Sequence, residues 1–283
     1  MRENEVIIVN IASDIYKRIV RSAVDYAILS LPFTIDRMKI PNEEQRALNI
    51  AKGKIAEYLF QYYCVQHKIQ ADFKSCTTPF YQIDKKDFML NGREWDIKNN
   101  FIYYEGNSFS HPYTHLPALV PNRHKKDQWS QKETANYLFT FLKGADLKNG
   151  KRVKEFLTLK MNSKQQDFLR ELYDTFHGMP QKSKPFEIGW FQKEYKVLGT
   201  HPLFELNFRP NLIITGFANP HSYGLFKDCG PNVNDNLIND PIPNWYTKKG
   251  KRNSLKFLDG VIWTTITNAT VSVGKLEAFS AII

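Results

Sequence analysis

The sequence predicts an α/β fold in which helices flank a mixed β-sheet, with a β-rich elaboration toward the C-terminal end. Three observations carry that expectation. Two long segments near the amino end place apolar residues at helical spacing, an Asn91-Gly92 pair separates two alternating runs, and short β-type runs dominate after about residue 200.

The first helical segment is 13–31, SDIYKRIVRSAVDYAILSL, which opens on a Ser-Asp capping signal and carries Ile15, Ile19, Ala23, Tyr26, Ala27 and Leu31 on one face. The second begins near Pro41-Asn42 and runs over 43–67, with Leu48, Ala51, Ile55, Leu59 and Tyr62 as its stripe. From about residue 80 the pattern becomes β: FYQIDKKDFML, then Asn-Gly, then REWDIKNN. Asn-Gly is the strongest short hairpin signal, because both central positions of a type I′ turn need positive φ. ANYLFTFLKG at 135–144 and VKEFLTLKM at 153–161 read as core strands, and SKQQDFLRELYDTFHG at 163–178 as a serine-capped helix ending on glycine. Beyond it FEIGWFQKEYKVLG, LFELNF, NLIITGFA and LKFLDGVIWTTI alternate with a turn-rich PNVNDNLINDPIPN. The expected division is a core over 1–200 and a β-rich elaboration over 201–283 packed on it.

Composition narrows the function class. A chain of 283 residues with 42% hydrophobic and 24% charged residues belongs with ordinary globular proteins and not with disordered ones. Three cysteines without a C-x-x-C pair argue against a zinc ribbon or a disulfide scaffold, and a reducing, cytoplasmic compartment is expected. No stretch approaches the ~18 apolar residues of a membrane span, so no membrane partner is expected. Lysine and arginine outnumber aspartate and glutamate 39 to 29, a net charge of +10 that favours a polyanionic partner.

Chemistry concentrates at the hairpin. With Asn91 and Gly92 as the turn, Leu90 faces Arg93, Phe88 faces Trp95 and Asp87 faces Asp96. Directly opposed carboxylates repel unless a cation lies between them. Alternation puts Asp96 and Lys98 on one face, expected to be the exposed one, and Trp95 and Ile97 on the other, anchored in the core. The same register turns Asp84 toward Asn99, which selects Asp87 as the second carboxylate. On the long helix Gly53 and Glu57 share a face, where the absent side chain leaves room for the sheet or a phosphate beside Glu57. Oxygen ligands without His or Cys favour Mg²⁺, with Mn²⁺ as a substitute, over zinc.

GKIAE on a helix followed by KKDFMLNGREWDIKNN on a hairpin resembles the PD-(D/E)XK nuclease superfamily, the fold of many type II restriction endonucleases, over about residues 42–100. Glu57, Asp87 and Asp96-Ile97-Lys98 match, in order, the helical glutamate, the strand aspartate and the (D/E)XK tripeptide. Two departures stand out: Lys86 and not proline precedes Asp87, and Asn99-Asn100 follow the lysine where small hydroxyl residues are frequent. The resemblance implies a restriction-endonuclease-like core and a Mg²⁺-dependent endonuclease cutting double-stranded DNA, with Glu57, Asp87, Asp96 and Lys98 catalytic and Glu57, Asp87, Asp96 and Ile97 at the metal. Twofold-symmetric DNA sites imply a homodimer. A repair, recombination or mobile-element nuclease is the nearest alternative, and a noncatalytic DNA-binding protein on the same fold is the alternative from another class.

Other motifs carry blander readings. Arg123, Lys125 and Lys126, and Lys248, Lys249, Lys251 and Arg252, form two basic runs that suit DNA phosphates or simply a solvated face. His111, His115 and His124 lie in HPYTHLPALVPNRH, where Pro112 breaks any helical HxxxH face, so they read as loop residues. Cys64 reads as a core thiol with no histidine beside it to activate it.

Overall fold

The computed structural model describes residues 1–31, 43–78, 86–102, 111–122, 135–143, 158–159, 162–177, 204–205, 211–230, 246–249, 254–258 and 261–283. The helices are α1 (Ser13–Ser30), α2 (Glu43–Gln66) and α3 (Ser163–His177). The strands are β1 (Ile7–Val9), β2 (Phe88–Leu90), β3 (Arg93–Ile102), β4 (Pro117–Pro121), β5 (Asn136–Lys143), β6 (Thr158–Leu159), β7 (Phe204–Glu205) and β8 (Asn211–Ala218). They continue with β9 (Lys227–Cys229), β10 (Tyr246–Lys249), β11 (Ser254–Phe257), β12 (Ile262–Thr264), β13 (Asn268–Ser272) and β14 (Glu277–Ala278).

The main sheet is mixed, in the order β1-β8-β5-β3-β2, with β14 added to β8 beyond the end of β1. β3 and β5 run parallel, while β2–β3, β5–β8 and β1–β8 are antiparallel. The α/β class and the mixed sheet are thus as the sequence predicts. The sheet draws on both sides of residue 200: β8 sits between β5 and β1, and Gly216 lets β14 approach it, since a Cβ there would stand 2.8 Å from the Glu277 carbonyl oxygen.

One face of the sheet carries the helices. Trp95, Ile97, Leu138, Leu142, Ile214 and Phe217 bury against α1 and α2, which pack on each other. Ala23 and Ala27 of α1 and Ala47 and Ala51 of α2 are fully buried in this core, small residues that let helices approach closely. Phe60 of α2 stands 4.9 Å from the Phe88 ring and 5.3 Å from Phe279, tying the helix to the hairpin and to the last residues of the chain. The opposite face, through Tyr137, Phe139, Phe141 and Ile213, buries against two three-stranded sheets, β4-β13-β9 and β10-β11-β12.

Several local expectations shift. The N-cap of α1 is Ala12, without a side-chain cap, so Ser13 and Asp14 lie inside the first turn. Its buried stripe is Tyr16, Val20, Ala23, Val24, Ala27 and Ile28, rotated from the expected Ile15 and Ile19, and on α2 Tyr63 and not Tyr62 is buried. Of the run at 153–161 the described strand is Thr158–Leu159, paired with Phe204–Glu205. The run at 186–199 and the start of α2 at Pro41-Asn42 lie outside the described residues. Among the described residues no helix is long and apolar enough to cross a membrane.

Candidate active site

The hairpin follows its turn. Asn91 and Gly92 take φ of 52° and 72°, and the register pairs Leu90 with Arg93 and Phe88 with Trp95. One step further out β2 has ended and the regular register stops, because Asp87 crowds onto Trp95, the residue already paired with Phe88, in the manner of a bulge. Its N–H donates to the Trp95 carbonyl at 2.8 Å, and its Oδ2 accepts from the Ile97 N–H at 2.6 Å. Asp87 therefore replaces a strand partner for β3 with a carboxylate, and it is not the direct cross-strand partner of Asp96 that the two-residue turn predicts, although the Asp96 charge still reaches it. Alternation sends the Ile97 carbonyl to the same edge as its N–H, which is where a main-chain oxygen could join these carboxylates. The Ile97 side chain is buried on the helix side.

Asp96 and Lys98 share the other face of β3, abreast of Tyr137 and Phe139 of β5, and they form an ion pair. The expectation that this face is exposed is corrected. The two side chains are 15% and 11% exposed, because β4 and β12 cover this part of β3, and Lys98 Nζ stands 5.5 Å from the centre of the Tyr137 ring. Burial, and then the Asp96 charge, push the Tyr137 hydroxyl upward.

Glu57 arrives from α2. Lys54, one turn earlier, donates to Glu57 Oε2 at 2.6 Å, and its Nζ lies 4.5 Å from the Tyr26 ring centre. Glu57 lines two cavities. One, of about 330 Å³, is bounded by Tyr26, Lys54, Phe73, Lys86 and Asp87; the other, of about 320 Å³, by Gly53, Lys98, Asn100, Thr264 and Trp263. A Cβ on Gly53 would meet nothing within 4 Å, so the glycine faces open space and the sheet does not approach it closely.

The electrostatics converge on Asp87. Burial raises its carboxyl well above the usual range, and the charges of Glu57 and then Asp96 add to the rise, against the hydrogen bond from Ile97 and the Lys98 charge. Asp87, just before β2, is therefore repelled by carboxylates from α2 and from β3. Among the described residues no group of three His, Cys, Asp or Glu side chains is arranged to hold a metal ion. Each carboxylate faces a partner of its own: Glu57 has Lys54, Asp96 has Lys98 and Asp87 has the Ile97 N–H. The donor set itself fits a hard divalent cation, which prefers carboxylate and carbonyl oxygens and relieves repulsion of this kind.

Asp84, Arg123, Lys125, Lys126, Lys251, Arg252 and His124 lie outside the described residues. Lys248 and Lys249 occupy β10, paired with Leu255 and Ser254 of β11. His111 and His115 lie on the segment entering β4, His115 closing a 3-10 turn. Cys64 is a core thiol, pushed up to about 12 by burial. Trp263, which also lines the second cavity, lies in the β-type run LKFLDGVIWTTI, where no local signal in the sequence marks it as part of a site. No family model, curated protein or solved structure matches the chain.

Proposed function

We propose that this protein is a Mg²⁺-dependent endonuclease of the PD-(D/E)XK type, of restriction-endonuclease-like core, that hydrolyses phosphodiester bonds in double-stranded DNA. The observation that supports this best is the setting of Asp87. It lies within electrostatic reach of both Glu57 and Asp96 at the edge of a mixed sheet, locked to the residue between Asp96 and Lys98.

Glu57, Asp87, Asp96 and the Ile97 carbonyl would hold the cation. When bound, Mg²⁺ supplies charge that polarises the phosphate, favours ionisation of the attacking water and stabilises the leaving oxygen. Asp87 and Asp96 would set where that cation sits relative to β3. Lys98, held by Asp96 and largely withdrawn from solvent, donates to the attacking water and offsets charge that develops on the phosphate. The net charge of +10 draws the polyanionic substrate to the surface. A homodimer is the assembly that fits a twofold-symmetric cut.

Supercoiled plasmid incubated with the protein and Mg²⁺ tests the reading. Nicked and linear products should form, disappear with a chelator, and be absent with Asp96→Asn. Discrete fragments mark a restriction-type enzyme, and a smear marks a nonspecific or structure-directed nuclease. A folded protein that cuts neither plasmid nor oligonucleotides in Mg²⁺ or Mn²⁺ overturns the proposal.

A further inference from the structure

Along β12, Ile262 is 2% and Thr264 9% exposed, whereas Trp263 between them is 51% exposed. The strand thus turns two side chains into the core and presents an indole outward, beside Lys256 of β11 as its cross-strand partner. A lone exposed aromatic is ordinary on a protein surface. What sets Trp263 apart is its place, since it is among the residues lining the cavity of about 320 Å³ that Lys98 and Glu57 also line. β12 packs directly against β3, so the indole and the candidate catalytic lysine stand on adjoining strands of two different sheets.

We propose that Trp263 is a stacking platform for an unpaired nucleobase next to the scissile phosphate; this rests on the nuclease reading of the site. A cavity of this volume, at the small end of those that take organic groups, has an aromatic residue and the Asp96-paired lysine in its lining, together with Glu57. A nucleotide has the matching halves, a base with an apolar face and a phosphate with negative charge. With the phosphate at Lys98, its base or the next one falls toward Trp263. Inside a regular duplex both faces of every base are covered by neighbouring bases, so an indole finds a face only where a base is unpaired, terminal or extruded. The favoured substrate at this site is therefore a duplex carrying an overhang, a flap or a flipped nucleotide beside the cut.

Synthetic duplexes carrying the fluorescent base 2-aminopurine, either fully paired and blunt or in a short single-stranded overhang, test this in Ca²⁺, which fits carboxylate ligands. Binding and fluorescence are followed for wild type, Trp263→Ala and Trp263→Phe, with thermal melting as the check on folding. Wild type should bind the overhang more tightly than the blunt duplex and quench its 2-aminopurine. Trp263→Ala should lose about tenfold or more in affinity for the overhang, together with the quenching, while Trp263→Phe keeps most of both. Equal loss on blunt and overhang duplexes, or no change on either, overturns the stacking role. Wild type that binds and cuts DNA while Trp263→Ala behaves identically overturns this inference alone. Wild type that neither binds nor cuts any of these DNAs overturns the nuclease reading and the inference with it.

Discussion

Asp87 Oδ2 accepts a hydrogen bond from the main-chain N–H of Ile97 at 2.6 Å, so a carboxylate takes the place of a strand where β2 gives out. Because Ile97 lies between Asp96 and Lys98, that bond sets the distance of Asp87 from the rest of the charged cluster. Asparagine can accept the same bond without the charge. Asp87→Asn should therefore fold normally and lose cleavage, and Asp87→Ala should lose both cleavage and stability.

The charge at Asp87 also has a pH signature. Its folded carboxyl is raised above the unfolded value of about 3.9, so the stability it contributes is complete below that value and is lost as pH rises through the folded value. In chelator, the wild-type melting temperature should fall with rising pH over that window, and Asp87→Asn should flatten the profile and melt higher at neutral pH. Adding Mg²⁺ should raise the wild-type melting temperature and not that of the variant. A wild type whose melting temperature in chelator does not fall over that window would contradict the burial of Asp87 and its repulsion by Glu57 and Asp96.

Asp96 and Lys98 are a largely buried pair, and removing one member strands the other. Lys98→Ala should abolish cutting and also lower the melting temperature, by more than Asp96→Asn does, because asparagine leaves Lys98 a polar neighbour. Equal melting temperatures for wild type and Lys98→Ala would show that the pair contributes nothing to the fold.

Gly53 interrupts a long helix and faces open space within the Lys98–Trp263 cavity. Gly53→Ala should stabilise the protein by about 0.5–1 kcal/mol through helix propensity, measured by denaturant unfolding, with cleavage little changed. Gly53→Met fills the cavity, and should raise KM or abolish cutting without destabilising the fold. Full activity in Gly53→Met would remove this cavity from the substrate path.

Phe60 is fully buried among Phe73, Phe88 and Phe279, where α2, the hairpin and the chain's last turn meet. Phe60→Ala should cost about 3–5 kcal/mol of stability by denaturant unfolding, the range for deleting a core aromatic. A cost below about 1 kcal/mol would mean that α2 is not anchored there, and with it Glu57.

The hairpin and its register were legible in the sequence, because a turn is a local object. Asn91 and Gly92 are residues that tolerate positive φ, and once they form the turn the side of every side chain from Phe88 to Lys98 follows by alternation, whereas Asp87 steps out of that register. The helices were legible in extent for the same reason, since their periodicity lies within a few turns, though the exact buried stripe was not. Only the tertiary structure decided the rest. Pairing residues 7–9 with 212–214 and placing β8 beside β5 depend on contacts between segments far apart in sequence, for which no local pattern carries a register. The same long-range assembly lays β4 and β12 over the Asp96–Lys98 face, burying a pair that alternation alone leaves in solvent, and brings Trp263 to the wall of their cavity.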